Sequence, residues 1–285
     1  MTSSGAEGPD PRLDQALRLL RGRRWVALTG AGVSTDSGIP DYRGPTAPKA
    51  TPMLYDEFVG SRAAQQRYWA RSYLGWQRIG RAEPNAGHRA LAALEQAGLI
   101  GIITQNVDNL HTAAGSSTVV DLHGQIAWVV CLDCGARVDR GEVQRRLAEL
   151  NRGLAPAADL GHAELRPDGD AVVDDWQDFV LVDCTVCGGR LKPDVVFFGE
   201  SVPRPRVDRA YRLVDAAEVL VVVGSSLTVM SGLRFVRHSA RNAKPVVIIN
   251  RGRTRADELV EVKIDAGCSE TLTRMVDQLA PSARV

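Results

Sequence analysis

The sequence predicts an α/β protein, a doubly wound, Rossmann-like parallel sheet with a smaller zinc-binding domain and a helical insertion. Three observations predict it. Short runs of Val, Ile and Leu recur along the chain and end in Gly, Ser, Asn or Asp. Near-continuous runs of this kind read as strands covered on both faces. Stretches of helical period alternate with them, as a doubly wound sheet requires. Two C-x-x-C pairs, Cys131/Cys134 and Cys184/Cys187, sit in a segment that breaks the alternation.

Along the chain, residues 1–10 are small and polar and read as a loose tail. Leu13, Ala16, Leu17 and Leu20 recur at helical spacing and predict the first helix. Residues 25–29 (WVALT) predict the first strand, closed by glycines. Residues 45–84 are rich in Arg, Tyr and Trp and read as helical, with no strand of their own. A helix over 85–97 and a strand over 100–104 follow, then a short Val119-Val120 strand. Residues 126–194 hold both cysteine pairs and an irregular stretch, GLAPAADLGHAELRPDGD. A helix over 207–217 and strands at 219–223 and 246–250 complete the pattern. The expected division is therefore a sheet domain from 11–44, 85–125 and 195–285, a helical insertion over 45–84, and a small zinc-binding domain over 126–194.

Composition narrows the function. The 285 residues hold 35 basic and 34 acidic side chains, a net charge of +1. No strong field points to nucleic acid or a membrane surface. Hydrophobic residues are 44% of the chain, enough for a sizeable core. No apolar run approaches the ~18 residues of a membrane span. The first residues lack an apolar leader core and carry Glu7, Asp10 and Asp14, so neither a secretory nor a transit leader is expected. A cytoplasmic location follows as the expectation. There four thiolates in matched pairs suit a closed tetrahedral zinc site, structural rather than catalytic. The glycine after each second cysteine lets the knuckle turn. Cys268 is left over, a buried or loop residue.

The motifs of chemical interest lie at strand ends. The first, Thr29 to Arg43 (TGAGVSTDSGIPDYR), follows the first strand. Gly30 and Gly32 allow close backbone approach to a pyrophosphate, with N–H groups at the next helix start to bind it. The third fingerprint position is Thr35 rather than Gly or Ala, so a dehydrogenase fingerprint is incomplete. A tight structural turn would also explain the glycine pair, and Tyr42 and Arg43 would then be a packing residue and a solvated cation. The second motif, TQNVDNLH over 104–111, places Gln105, Asn106, Val107 and Asp108 at the end of the Ile-rich strand, although Asn and Asp also serve as turn residues. In the third, DLHG over 121–124, His123 stands at a strand end beside a glycine. Histidine is the natural neutral-pH base, and a lone histidine is also a common structural residue. His88, His111, His162 and His238 have no comparable setting. Gly224-Ser225-Ser226 and Asn250-Arg251-Gly252 end two further strands. Together these strand ends describe one polar, dinucleotide-sized crevice.

GAGVSTDSGIPDYRG, TQNVDNLH, LHG, the two C-x-x-C pairs, VVFFGE, GSSL and INRG, in that order, resemble the sirtuin family over about residues 25–270. QQRYWARSYLGW, VCLDCG and LKPDVVFFGE look closest to its class II branch, which includes mitochondrial sirtuin 4, and the missing leader suggests a bacterial member. The resemblance implies an NAD-dependent protein lysine deacylase, with NAD as co-substrate and one structural Zn2+. His123 matches the base that takes a proton from a ribose hydroxyl. Asn106 matches the residue that orients a water and the ribose, and Val107 and Asp108 the pair that holds the nicotinamide carboxamide. Gly30, Ala31, Gly32, Thr35, Asp41, Tyr42, Arg43, Gln105, Gly224, Ser225, Ser226, Asn250, Arg251, Gly252 and Cys268 complete the implied cofactor contacts. Val196, Phe197, Phe198, Gly199 and Glu200 match the segment that pairs with an extended acyl-lysine substrate by β-augmentation. The insertion over 45–84 would shape the acyl pocket. The implied partners are acyl-lysine proteins, without nucleic acid or membrane. Transfer of ADP-ribose to protein, or removal of larger lipoyl- or glutaryl-type acyl groups with weak deacetylation, is the alternative. Tyr42 stands where many members have Phe, and Ser225 where many have Thr.

Overall fold

The computed structural model describes residues 10–42, 52–153 and 176–283. Residues 1–9 of the tail expected over 1–10, residues 43–44, residues 45–51 of the insertion, and His162 with most of the irregular stretch lie outside them.

Helix α1 (Pro11–Leu20) is capped by the Asp10 carboxylate, which accepts from Arg12 N–H, and it buries Leu13, Ala16, Leu17 and Leu20. Strand β1 (Trp25–Thr29) is buried at every residue. It pairs in parallel with β2 (Leu99–Thr104) on one side and β7 (Val219–Val223) on the other. Strand β3 (Val119–Asp121) extends β2, and β8 (Val246–Ile249) and β9 (Val262–Ile264) extend β7. The resulting six-stranded order is β3-β2-β1-β7-β8-β9. All its pairings are parallel, and the chain reverses its direction of winding at β1.

Alternate strand residues face opposite layers, which is why the central strands β1, β2, β7 and β8 are apolar but for Gly101 and the terminal Thr29 and Thr104. Trp25, Ala27, Val221 and Ile249 share a core with α1, α4 (Ala86–Ala93) and α9 (Cys268–Leu279). Val26, Leu28, Val222 and Ile248 meet α7 (Arg204–Ala216) and α8 (Met230–Arg241). Helix α5 (Leu110–Ala113) is a single turn after β2. The helix expected over 85–97 is α4 capped by Asn85, with a 3-10 turn over Leu94–Ala97.

A separate antiparallel sheet has the order β5-β4-β6, from β4 (Gly124–Cys131), β5 (Arg137–Asp139) and β6 (Leu191–Val195). Its core includes α6 (Arg140–Leu150), α2 (Tyr55–Gly60) and α3 (Arg62–Ile79) through Val143, Leu147, Phe58, Tyr68 and Trp69. The segment before α2 is not free of strand contact, because Leu54 makes a parallel bridge to Phe198. Among the described residues no helix is long and apolar enough to cross a membrane.

One expectation needs correction. Among the described residues, no α-helix starts directly after the glycine loop. Two 3-10 turns, Ala31–Val33 and Thr35–Ser37, stand there instead. Gly38 in the left-handed region (φ 79°) and Pro40 stop any helix from propagating. A third glycine, needed elsewhere to pack a helix on the sheet, has no function here. Thr35 is exposed, and its hydroxyl donates to Gly32 O (3.1 Å).

Candidate active site

The carboxyl ends of β1, β2, β7 and β8 open into one cleft of about 840 Å3, where ligands of doubly wound sheets sit. Its floor is built by backbone contact between two strand ends. Gly30 N–H donates to Val223 O (3.0 Å) and Gly32 N–H to Gly224 O (2.9 Å). A Cβ at Gly30 would lie 2.8 Å from Gly224 O, and one at Gly32 2.9 Å from Gly224 Cα. Gly224 itself has φ 62°, and a Cβ there would lie 2.5 Å from Val33 N. Only glycine fits these positions, and the bare backbone they leave suits a pyrophosphate.

Ser34 is the centre of a buried hydrogen-bond network. Its hydroxyl donates to Asp108 Oδ2 (2.6 Å) and accepts from Asn106 Nδ2 (3.0 Å). Asn106 Nδ2 also donates to Gly30 O (3.2 Å). Asp108 Oδ1 accepts from Leu110 N–H (3.0 Å), with Asn109 between them in the left-handed region. Beneath lie His88 and His111, rings 4.8 Å apart. Asn85 N–H donates to His88 Nδ1 (3.3 Å), so His88 Nε2 carries the proton and faces Ser34 Oγ at 3.5 Å. His111 Nε2 lies 2.8 Å from Thr29 Oγ1. Burial pushes His88 down to about 4 and His111 to about 3, so both are neutral.

His123 sits between the two sheets, after β3 and before β4. Its Nδ1 lies 2.9 Å from Gln105 O. A carbonyl can only accept, so Nδ1 carries the proton and Nε2 holds the bare lone pair. Ser231 Oγ lies 2.8 Å from that Nε2. Burial holds His123 well below the ordinary imidazole range, at about 4. Gln105 O opposes the shift and Arg206 reinforces it. Gln105 is fixed in turn by Nε2 contacts to Thr29 O (3.2 Å) and Ser225 Oγ (3.0 Å).

On the far wall, Val196 N–H donates to His123 O (2.8 Å), tying the segment 196–200 to the histidine. Glu200 Oε2 accepts from Phe197 N–H (2.8 Å) and pairs with Lys192 Nζ (3.0 Å), which also donates to Val195 O (2.6 Å). Phe197, Phe58 and Tyr68 stack with centroids 5.0–5.3 Å apart. Tyr42 meets Phe198 edge-on at 5.8 Å.

Of the residues singled out in the sequence, Gly30, Ala31, Gly32, Asp41, Tyr42, Gln105, Asn106, Val107, Asp108 and His123 line this cleft. So do Val196, Phe197, Phe198, Gly199, Glu200, Gly224, Ser225, Ser226, Asn250, Arg251 and Gly252. Thr35 and Cys268 do not. Thr35 faces solvent on the 3-10 turn, and Cys268 is buried at the start of α9, where burial pushes its thiol up to about 12. Sequence reasoning passed over Ser34, Ile39, Met53, Tyr68, Ser231 and Arg234, which also line it. Ser34 and Ile39 lay inside the first motif and Tyr68 inside QQRYWARSYLGW, and Ser231 follows a strand end by a single loop; nothing marked Met53 or Arg234.

Away from the cleft, the four sulfur atoms of Cys131, Cys134, Cys184 and Cys187 all lie within 4.8 Å of one another. Cys131 and Cys187 are 3.5 Å apart and Cys134 and Cys184 3.8 Å, far beyond disulfide length. Tetrahedral zinc with thiolates at ~2.3 Å needs sulfur separations of ~3.8 Å, so the set fits. Gly135 and Gly188 take φ 72° and 73° at the knuckle turns. Val186 N–H and Gly189 N–H reach Cys184 Sγ (3.4 Å) and Cys187 Sγ (3.3 Å).

Comparison with known proteins places the arrangement. The Sir2 family model matches residues 30–231. NAD-dependent protein deacetylase 1 of Mycobacterium avium (strain 104) is 53% identical over 283 residues, covering 99% of each chain. NAD-dependent protein deacetylase 1 of Streptomyces coelicolor is 52% identical over 282 residues, covering 96% of this chain and 93% of its own. Among solved structures, Sir2 with a p53 peptide and NAD+ is 29% identical with a TM-score of 0.73, covering 93% of this chain and 98% of its own. Sir2 bound to a propionylated peptide is 29% identical with a TM-score of 0.72, over the same shares. The chain described here belongs to the Sir2, or sirtuin, family.

Proposed function

We propose that this chain is an NAD-dependent protein lysine deacylase. One observation carries the reading: a single cleft holds the glycine floor, a neutral histidine and the 196–200 segment. NAD, when bound, supplies an electrophilic C1′ with nicotinamide as leaving group. The glycine floor, Gln105, Ser225, Ser226 and the Asn250–Gly252 turn hold its phosphates and riboses. Asp108, oriented by Ser34, holds the nicotinamide carboxamide with Val107, and Asn106, which Ser34 also meets, orients a water and the ribose. His123 accepts a proton from a ribose hydroxyl, which requires the neutral ring that burial maintains. The 196–200 segment receives the extended acyl-lysine peptide, and Tyr42 gates water. Asp41, which lines the cleft, and Arg43 are proposed as supporting cofactor contacts; Thr35 and Cys268, which lie outside the cleft, are not.

The bacterial relatives, named NAD-dependent protein deacetylases, support the same chemistry. The apolar wall of Ile39, Met53, Tyr68, Val107 and Phe197 supports acyl groups larger than acetyl. With it we propose the class II assignment and the division into a sheet domain (11–44, 85–125, 195–285), an acyl-pocket insertion (45–84) and a zinc domain (126–194). One structural zinc per chain and a cytoplasmic location complete the proposal; four sulfurs spaced for a metal suit a reducing compartment.

The test incubates purified protein with NAD and a panel of acyl-lysine peptides and measures nicotinamide and the fate of labelled ADP-ribose. Peptide-dependent nicotinamide release with label on a small O-acyl product is expected. No acyl-dependent release from any peptide refutes the reading. Label left covalently on protein would make the chain an ADP-ribosyltransferase instead.

A further inference from the structure

We propose that Ser231 is a further catalytic residue, passing the proton of a ligand hydroxyl to His123; the inference rests on the deacylase reading. The argument is a count of lone pairs. With Nδ1–H donated to Gln105 O, the His123 ring offers one lone pair, on Nε2. Ser231 Oγ, 2.8 Å away, has to be the donor into it. The base therefore meets the cleft through Ser231. The Ser231 oxygen keeps two lone pairs of its own, and no donor among the described residues is seen to fill them. Ser231 also lines the cleft. A hydroxyl entering from that side finds an acceptor oxygen whose proton already points at the base.

The placement is built into the fold. Ser231 is the second residue of α8, 9% exposed, where the helix end favours developing negative charge. Gly232 follows, and a Cβ there would lie 2.6 Å from Gln105 Oε1. The bare glycine lets α8 press against Gln105, the residue that also fixes His123. The same helix end thus delivers the serine to Nε2 and closes the wall behind it.

The step balances. The ligand O–H bond breaks and its proton goes to Ser231 Oγ. The Ser231 proton goes to His123 Nε2 in the same event. Ser231 ends as a hydroxyl, His123 as a cation, and the electron pair stays on the ligand oxygen as the nucleophile.

The experiment compares wild-type protein, Ser231→Ala and Ser231→Thr for turnover of NAD with an acyl-lysine peptide. NAD affinity is measured by calorimetry, and the rate is followed across mixtures of H2O and D2O. Ser231→Ala is expected to lose at least tenfold in kcat, with NAD affinity within about threefold of wild type, and Ser231→Thr to recover most of the loss. The wild-type rate is expected to curve with deuterium fraction, as two protons in flight require, and the Ser231→Ala rate to be linear. Wild-type kcat in Ser231→Ala, a raised kcat, or a linear wild-type dependence overturns the relay. Should Ser231→Ala fail to fold, the wild-type dependence decides alone. An inactive wild type refutes the deacylase reading first, and the relay falls with it.

Discussion

Ser34 carries more of the site than its place in the sequence suggests. Its one proton goes to Asp108 and its lone pairs receive Asn106 and face His88. Ser34→Ala leaves a carboxylate oxygen and an amide N–H without that partner, a cost of about 1–3 kcal/mol. We expect turnover to fall at least tenfold with a thermal unfolding shift of only a few degrees, read by activity assay and calorimetry on one preparation. His123 makes a second prediction. Its pKa of about 4 keeps Nε2 bare down to mildly acidic pH. Activity should therefore hold from pH 8 to about 5 and fall only below that, whereas an ordinary imidazole would halve it near 6.5. A kcat–pH profile distinguishes the two. His123 was legible through the ordered motifs that resemble the sirtuin family, since its place at a strand end beside a glycine also suits a structural histidine. Ser34, Ser231 and Tyr68 were not, because the inward turn of a serine or of one face of α3 is set by tertiary contacts.

At the scale of elements, the glycines explain what the fingerprint could not. Gly30, Gly32 and Gly224 interlock two strand ends backbone to backbone, where the sequence suggested approach to a pyrophosphate, and two 3-10 turns stand where it suggested the start of a helix. The sequence pattern shows which backbone must be bare; it does not show whether the next turn is 3-10 or α, since Ser34 spends its side chain on Asp108 instead of capping. Gly224→Ala places a methyl 2.5 Å from Val33 N at φ 62°. Strain alone costs about 1–3 kcal/mol, so a lower melting temperature and weaker NAD binding should appear together. The 196–200 segment depends on Lys192, which is 4% exposed and held by Glu200 and Val195 O. Removing one partner of a buried pair costs roughly 3–5 kcal/mol. Lys192→Met should raise the KM for peptide several-fold with NAD affinity little changed, and Lys192→Arg should recover part of it.

For the whole molecule, five of the six strands were legible because a parallel sheet covered on both faces leaves few polar positions within them, and β9 was missed because it is three residues long with Lys263 at its centre. The small sheet was not, because β5 is three residues long and largely exposed and β6 contains a proline. Two predictions belong at this scale. His88, His111 and His123 are held neutral in the fold, at about 4, about 3 and about 4, and titrate near 6.5 when unfolded. The unfolded chain then binds more protons below pH 6.5, so stability falls as pH drops from about 6.5 toward about 4. Each histidine contributes on the order of 3 kcal/mol at full titration, and denaturant midpoints across that range should show the slope. Chelation of zinc, in turn, should loosen the β5-β4-β6 sheet and its knuckles before the six-stranded sheet, read as early loss of hydrogen-exchange protection over residues 126–150 and 179–194.

The central claim is that one neutral imidazole acts on a dinucleotide held by the strand ends around it. Its most direct test is His123→Ala, measured for NAD affinity by calorimetry and for acyl-peptide turnover by product mass. The account predicts affinity within a few-fold of wild type and no O-acyl-ADP-ribose. Turnover near the wild-type rate in that variant would contradict it.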